Sequence, residues 1–466
     1  KWLQDEHGTI RRLNTVWKTD YSGFDAIPLP KEKPRSECSP GEWYDRIRFH
    51  NHRVTSFFGF FSDQIRSYLP EVKIHLKAQD NSSLGPMRQA VGHGIDREAL
   101  TRHIDLQGLD TRPLPVTEPR MAASSYDGSH YGFHWLGQSF LYDYLTSLPP
   151  GRPIVDFEYH AFSINPIRIP DLPRNHASAT LWLAHMHGMV GNMAWYWHRR
   201  YGPDPFLDTW YWKLWLYASL STQPVPAAEY FQTMLELNTF SREVEALATV
   251  PDGPVCIMVS KPSYIQDPSH IDALHRVYEG SSFHGLRVGF VTDQMLVRGG
   301  VPSDCRVMFV PNMAYLGKAA LNVLEGVKEK LILYGGKKPR FDPYGFPHAP
   351  ETVRFLENVA GIEEASAPVL SRRIGRLLTS YTGTLPIRIK RLDRSDGFGV
   401  MNRQAGVDDR QVMLLVNVLT NPTEVQMISK RGEPISGYDL LNDEPVDGKK
   451  ISMPFQGVRL IQIDQE

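Results

Sequence analysis

The chain has 466 residues and a formal net charge of −1 at neutral pH, with 41% hydrophobic and 22% charged residues. This balance argues against a nucleic-acid partner or a membrane-surface role carried by global electrostatics, and no apolar run is long enough to span a membrane. The length predicts roughly two to four domains. The three cysteines, Cys38, Cys256 and Cys305, lie far apart without a CxxC pair, so we expect neither a disulfide framework nor a zinc ribbon, and no metal site is predicted.

The first seventy residues contain two regions with the apolar spacing of a helix. Apolar residues recur at helical spacing around a turn at Gly8 and again over 43–69, which predicts a long amphipathic helix that ends at Pro70. Because the first residues look like the interior of a helix, we expect that a natural start lies elsewhere. The localisation is therefore left open.

Strands and helices alternate over the following residues. Strands are predicted at 72–78, 104–110, 153–158 and 191–197. Helices are predicted at 97–101, 137–148, 175–188 and 225–247. This alternation implies a parallel sheet, and four strands are about half of a (β/α)8 barrel. Four parallel strands cannot close a barrel alone, so we expect that an upstream segment or a second chain supplies the other half.

Two further regions follow a predicted boundary at 251–254. The first has short apolar strands at 255–259, 286–291, 306–310 and 330–333, with helices at 271–278 and 319–328. It carries no nucleotide-binding motif, and we interpret it as an open doubly wound α/β domain with a scaffolding or oligomerisation role. The second has alternating strands at 387–392, 411–418, 423–428 and 458–463, typical of a small antiparallel β-domain. The predicted domains are therefore 1–250, 251–378 and 379–466.

The clearest chemical signal lies on the third predicted strand. A short apolar run after a Pro- and Gly-rich loop ends in Glu158 and is followed by His160. Carboxylates are seldom buried without a partner, and the C-terminal strand ends of a parallel barrel are where catalytic residues are placed. Glu158 is therefore a candidate catalytic residue, although a glutamate at a strand end can equally form a structural salt bridge.

Four segments, taken in chain order, match one known pattern. They are Trp2-Leu3 with Gly8-Thr9-Ile10 and Leu13-Asn14, then 105–113, 156–160 and 194–199. They resemble the opening helix of the second barrel half and the sixth, seventh and eighth strands of family 42 β-galactosidases. The order of barrel, α/β domain and β-domain resembles that family too, which implies a homotrimer. Departures are Gly108 at a usual serine, His198 after the last aromatic pair, and the missing cysteine zinc cluster.

The resemblance implies a retaining exo-glycosidase acting on a β-galactoside, with no cofactor. In that mechanism two carboxyl groups flank the scissile bond, one as nucleophile and one as acid/base. Glu158 matches the nucleophile of the family. Expected substrate contacts are Asp110, Tyr131 and Trp135 in or after the second predicted strand, His160 beside Glu158, and Trp195 and Trp197 as a floor for a sugar ring.

The acid/base glutamate of the family follows an asparagine at the end of the fourth barrel strand. No Asn-Glu pair occurs in this chain, so this partner is expected upstream. Two alternatives stay open. One is an agarase-like or other galactan-degrading hydrolase. The other is a non-catalytic carbohydrate-binding or scaffold protein that keeps the barrel half.

Overall fold

A four-stranded parallel sheet organises the first part of the chain in the computed structural model. Its strands are β1 (His75–Lys77), β2 (Leu106–Leu109), β3 (Ile154–Tyr159) and β4 (Met189–Ala194), arranged in that order. The structure describes residues 1–28, 33–78, 85–115, 130–162, 172–195, 197, 220–249, 255–382, 387–394 and 396–464. Neighbouring strands follow chain order, as in a (β/α)8 barrel, so the predicted parallel sheet is confirmed. Within the described residues, β1 and β4 are open edges.

The helices of this part surround the sheet. They span Trp2–His7, Ile10–Trp17, Pro40–Tyr68, Gly85–His93, Arg97–Leu100, Trp135–Ser147, His176–Met186, Pro224–Thr239 and Ser241–Ala248, with 3-10 turns at Phe24–Ala26, Arg35–Glu37, Thr101–His103 and Leu220–Thr222. The long helix begins at Pro40 because the Ser39 side chain accepts a hydrogen bond from the Glu42 N–H and Pro40 fits the first turn.

One helix predicted as continuous is interrupted in the structure. The single helix expected over 225–247 is two helices that meet at Phe240, where φ is −99° and ψ is 33°. Thr239, Phe240 and Ser241 all have weak helix propensity, and the break lets the second helix pack against the C-terminal sheet. The helix Gly85–His93 was not predicted.

Gly108 lies where β1 and β2 approach most closely. Lys77 pairs with Gly108 across the two strands, and a Cβ atom at position 108 would meet the Leu76 carbonyl oxygen at 2.7 Å. A serine side chain does not fit this approach without moving β1. The departure from the family pattern at this position therefore has a packing reason.

A second parallel sheet follows. It has the order β6-β5-β7-β8-β9, with β5 (Val255–Val259), β6 (Val288–Thr292), β7 (Val307–Pro311), β8 (Leu331–Tyr334) and β9 (Gly361–Ile362). Its helices span Lys261–Gln266, Ser269–Ser281, Asp293–Gly299, Lys318–Glu325, Pro350–Val353 and Ala367–Thr382, with 3-10 turns at Lys328–Lys330 and Arg354–Asn358. The four predicted strands are confirmed to within two residues, because buried apolar runs between loops are a strong strand signal. The two-residue strand β9 was not predicted.

The C-terminal part is antiparallel, as predicted, but it contains two sheets. One has the order β10-β13-β16 and the other β11-β12-β17-β14-β15. The strands are β10 (Ile387–Arg391), β11 (Val400–Val407), β12 (Arg410–Asn417), β13 (Thr423–Ser429), β14 (Gly437–Asp439), β15 (Glu444–Val446), β16 (Ile451–Met453) and β17 (Val458–Ile463). The four predicted strands are present, while β11 and the three short strands β14 to β16 were missed.

The three parts pack against one another through a shared core. Tyr131 forms a β-bridge with Leu419, and its hydroxyl donates to Glu279 Oε1 at 2.8 Å. Arg403 on β11 donates to the Met186 carbonyl. The first predicted domain boundary, at 251–254, lies outside the described residues. The second, at 378–379, falls within the helix Ala367–Thr382. No helix in the described part of the chain has the length and apolar character that crossing a bilayer requires.

Candidate active site

The C-terminal ends of all four strands of the first sheet bring polar or aromatic side chains together. Lys77 ends β1, Asp110 follows β2, Glu158 lies one residue before the end of β3, and Trp195 follows β4. Parallel strands place these ends on one edge of the sheet. The strand order alone therefore explains why residues far apart in sequence meet here.

Glu158 is the centre of this group. Its side chain is 9% exposed, and its carboxylate Oε2 forms an ion pair with Lys77 Nζ. Its other oxygen, Oε1, lies 3.5 Å from His160 Nε2. An ammonium group next to a nearly buried carboxylate favours the charged form of that carboxylate. This is the form that a nucleophile requires.

Asp110 and His160 form a second contact in the same cluster. His160 Nε2 lies 3.0 Å from Asp110 Oδ1, and Arg112 Nε donates to the same oxygen at 3.3 Å. Burial acts to raise the pKa of Asp110, but the hydrogen bond from His160 and the charge of Arg112 outweigh it and hold that pKa below its usual value. Asp110 is therefore ionised near neutral pH and is a poor proton donor.

His160 is held as a neutral imidazole. Its side chain is fully buried, and burial lowers its pKa despite the contact with Asp110. Because the Asp110 carboxylate only accepts hydrogen bonds, the single ring proton lies on Nε2 and is donated to Asp110. The imidazole thus fixes the Asp110 carboxylate beside Glu158.

The three side chains also satisfy the distance criterion for a cation site. One ligand atom each from Asp110, Glu158 and His160 lies within 4.8 Å of the others. The Lys77 ammonium already neutralises Glu158, and the proton on His160 Nε2 faces Asp110. This arrangement suits carboxylate chemistry better than metal binding.

Trp195 and Trp197 have different environments. The Trp195 backbone N–H donates to the Tyr159 carbonyl oxygen at 2.9 Å, and its ring centroid lies 5.8 Å from that of His160 and 5.8 Å from Lys77 Nζ. Trp197 is 68% exposed and contacts Phe231 at a ring distance of 6.1 Å. The structure therefore brings Trp195 to the cluster, whereas no contact joins Trp197 to it among the described residues.

Tyr131 and Trp135 were expected to contact substrate, and the structure places them in the core instead. Both are 0% exposed. Their rings are 5.4 Å apart, and both lie near the Phe283 ring. Tyr131 also forms a β-bridge with Leu419 in the C-terminal part. Contact of either residue with substrate stays a prediction.

Asp156 was missed by the sequence analysis and lies directly behind Glu158. Its Oδ1 accepts the Glu158 N–H at 3.1 Å. Its Oδ2 accepts from the Thr111 N–H at 3.2 Å, from the Thr111 hydroxyl, and from the Tyr142 hydroxyl at 3.1 Å. An aspartate two residues before a strand-end glutamate shares its face of the strand, and that spacing was the available signal.

The pH dependence of stability tests this network. Burial raises the pKa of Asp156 to about 7 from its usual 3.8, although hydrogen bonds from Thr111 and Tyr142 oppose the shift. The folded protein thus holds this proton more tightly than the unfolded chain. Its stabilising contribution is complete below about pH 4 and is lost as the pH rises toward 7, by up to about 1.4 kcal/mol per pH unit.

The variant Asp156→Asn is expected to remove this slope. Urea unfolding between pH 4.5 and 7.5 should show stability that falls less steeply with pH in the variant than in the parent chain. Asp393→Asn, at an exposed position, is the matched control and should keep the parental slope. Equal slopes in Asp156→Asn and the parent would contradict the buried-proton interpretation.

Comparison with known proteins agrees with the fold and with the motif pattern. Residues 1–201 match the profile of glycoside hydrolase family 42, described as beta-galactosidase. A curated relative, the beta-galactosidase YesZ of Bacillus licheniformis, is 27% identical over 117 residues, which cover 24% of this chain and 16% of that protein. The chain therefore spans only a small part of this relative.

Solved structures show the same fold over the whole chain. The apo exo-carrageenase GH42 of Bacteroides ovatus superposes with a TM-score of 0.81 at 24% identity, covering 100% of this chain and 62% of that one. The beta-galactosidase of Marinomonas ef1 gives a TM-score of 0.72 at 15% identity, covering 99% of this chain and 75% of that one. The predicted α/β fold with a partial (β/α)8 barrel and an antiparallel β-domain is confirmed. The chain is similar to glycoside hydrolases of family 42, as its motifs indicated.

Proposed function

We propose that this chain is part of a retaining exo-glycosidase that hydrolyses a β-galactoside, with Glu158 as the nucleophile. The observation that carries the proposal is the convergence of Lys77, Glu158 and Trp195 at adjacent strand ends. A nearly buried carboxylate there is neutralised by an ammonium group and flanked by an aromatic ring. The family match over residues 1–201 supports the same reaction class.

The proposed chemistry is a double displacement. The Glu158 carboxylate attacks the anomeric carbon while the glycosidic bond breaks, and the leaving oxygen takes a proton from the acid/base residue. Water, deprotonated by that same residue, then attacks the anomeric carbon and releases Glu158 as a carboxylate. The low pKa of Asp110 makes it unsuited to donate the first proton, so we assign the acid/base role to a glutamate outside this chain.

Asp110 and Trp195 are assigned to substrate binding. The Asp110 carboxylate, held by His160 and Arg112, is placed to accept hydrogen bonds from sugar hydroxyls. The Trp195 ring offers an apolar face of the kind that packs against a sugar ring. We propose that His160 acts as a positioning residue, since it is fully buried.

We further propose that the open strand edges β1 and β4 pair with the other half of the barrel. An unpaired edge exposes backbone N–H and C=O groups that seek a partner. Exposed apolar residues lie beside both edges, including Val72 before β1 and Val190 and Met193 on β4. A homotrimer built through the second part, the α/β domain, belongs to the same proposal.

A second candidate keeps this chemistry and changes the substrate. The likeness in fold to an exo-carrageenase supports another galactan-degrading hydrolase. The non-catalytic alternative is a carbohydrate-binding protein that retains the half-barrel.

A substrate panel with product stereochemistry tests these proposals. The chain, assembled with the half-barrel that completes it, would be incubated with aryl β-galactosides, agarose oligosaccharides and carrageenan oligosaccharides, and the first-formed anomer read by proton NMR. We expect release of a terminal galactose unit with the β-anomer formed first. An α-anomer as first product would contradict the double displacement. Binding without turnover across the panel would favour the non-catalytic alternative.

A further inference from the structure

A second groove lies away from the strand ends. It has a volume of about 860 Å³ and runs between the helix Ala367–Thr382 and the edge strand β10. Its described lining shares no residue with the Glu158 cluster. Any function of this groove is therefore separate from hydrolysis.

Cations line the groove on both sides. The helix contributes Arg372, Arg373 and Arg376, and β10 contributes Arg388 and Lys390. Arg376 lies four residues after Arg372 and three after Arg373, so it shares a helix face with each of them, while Leu370, Ile374 and Leu378 bury the opposite face. The two strand positions alternate outward around the buried Ile389. The cations thus form two facing rows.

The positive charge of the groove is largely uncompensated. Asp396 is the one acidic residue in its described lining, and it is bound by Arg394 at 2.8 Å and lies 3.7 Å from Arg372. Arg376, Arg388 and Lys390 form no ion pair with any carboxylate of the described residues. Clustered like charges repel one another and destabilise a folded chain unless an anion binds between them. Five cations against one acid also contrast with the overall charge of −1.

The spacing suits a repeating anionic ligand. Cations four residues apart on a helix are separated by about 6 Å along the axis, and alternate positions of a strand by about 6.6 Å. Arginine presents a planar fork of donors that binds tetrahedral or planar oxyanions through paired hydrogen bonds. Both rows therefore match charged groups carried at regular intervals on an extended chain.

The described lining favours a saccharide over a single-stranded nucleic acid. Single-stranded nucleic acids bind to exposed aromatic side chains on which bases stack. Phe283 is the one phenylalanine, tyrosine or tryptophan in the described lining, and it is only 2% exposed. Ionic contacts along a backbone of charged sugars need no such stacking platform.

We propose that this groove binds a sulfated galactan chain as a secondary, non-catalytic site. The choice of a galactan rests on the proposed function, while the anionic character rests on the groove alone. Binding here would hold a polymer on the enzyme while its end is processed elsewhere.

The test measures binding of the chain to a sulfated galactan oligosaccharide by isothermal titration calorimetry. The variant Arg376→Glu with Arg388→Glu should weaken binding by about tenfold or more and flatten its salt dependence, because fewer counterions are released. The matched control, Arg298→Glu with Lys318→Glu, makes the same charge change at exposed positions outside the groove. It should bind within about twofold of the parent.

Additional ligands and variants test the sulfate requirement and the independence of the groove from hydrolysis. The chemically desulfated oligosaccharide should not bind, and Arg376→Gln with Arg388→Gln should weaken binding in a chain whose thermal melting matches the parent. The groove variants change no residue of the Glu158 cluster, so failure of the hydrolase proposal leaves this result intact. Unchanged binding by both groove variants would overturn the site. Equally tight binding of duplex DNA would overturn the saccharide assignment. Groove variants that change the oligomeric state of the chain but bind the saccharide as the parent does would overturn it too.

Discussion

Replacing Glu158 with glutamine is expected to reduce hydrolysis by the complete enzyme by about 10³-fold or more, on the order of the losses seen when a covalent nucleophile is removed. The amide has nearly the size of the carboxylate but cannot attack the anomeric carbon. It also leaves the Lys77 ammonium without its counter-charge. Initial rates with an activated aryl galactoside measure the loss.

An external nucleophile distinguishes this role from a structural one. In Glu158→Ala, azide can enter the space left by the side chain and attack the anomeric carbon, expelling the leaving group and forming a glycosyl azide of inverted configuration. We expect azide to restore activity to Glu158→Ala and not to raise that of the parent. Glu98→Gln is the matched control, since Glu98 lies outside the cluster, where it accepts a hydrogen bond from Thr292. Parental rates in Glu158→Gln would contradict the assignment.

The alternation of the first 250 residues could be predicted because its signals are local. Buried parallel strands are short apolar runs between loops, and helices repeat with their own period. The first two predicted strands were too long at both ends, and the fourth extended beyond Ala194, since residues such as Val72 and Trp197 continue the pattern outside the paired backbone. Strand pairing depends on a neighbour, which a single run of sequence does not show.

The candidate site was predictable only in part. Glu158, Asp110, His160 and Trp195 follow from strand ends and from the family pattern, and the structure brings them together. Tyr131 and Trp135 are fully buried in the core, where Tyr131 forms a bridge to Leu419. That contact joins residues nearly three hundred positions apart, so local patterns carry no trace of it. Such long-range contacts decide whether an aromatic residue near a strand end is buried in the core or lines the site.

The C-terminal part shows the same limit. Long alternating strands such as β12 and β17 were predicted, whereas the three-residue strands β14, β15 and β16 were not. Three residues are too few to establish a period of two. Their strand character comes from pairing with longer partners, as β14 pairs with β17.

Lys77→Met is expected to lower kcat/KM by about 10- to 100-fold, equivalent to roughly 1.4 to 2.8 kcal/mol of transition-state stabilisation. The Lys77 side chain is 36% exposed while the Glu158 side chain is 9% exposed, so solvent replaces only part of the lost attraction. Without it the charged carboxylate is less favoured, and the acid limb of the pH–rate profile should move to higher pH. Lys77→Arg keeps the charge and should restore most of the activity.

The pH profile separates this effect from simple loss of packing. Lys77 also lies over the Trp195 ring, so a methionine that only disturbed that ring would change KM and leave the acid limb in place. Lys73→Met, two residues before β1 and exposed, should change neither quantity. If Lys77→Met kept the parental profile, the ion pair would be structural and the ionisation of Glu158 would not depend on Lys77. Movement of the acid limb in Lys77→Met, reversed in Lys77→Arg, would assign that ionisation to Lys77.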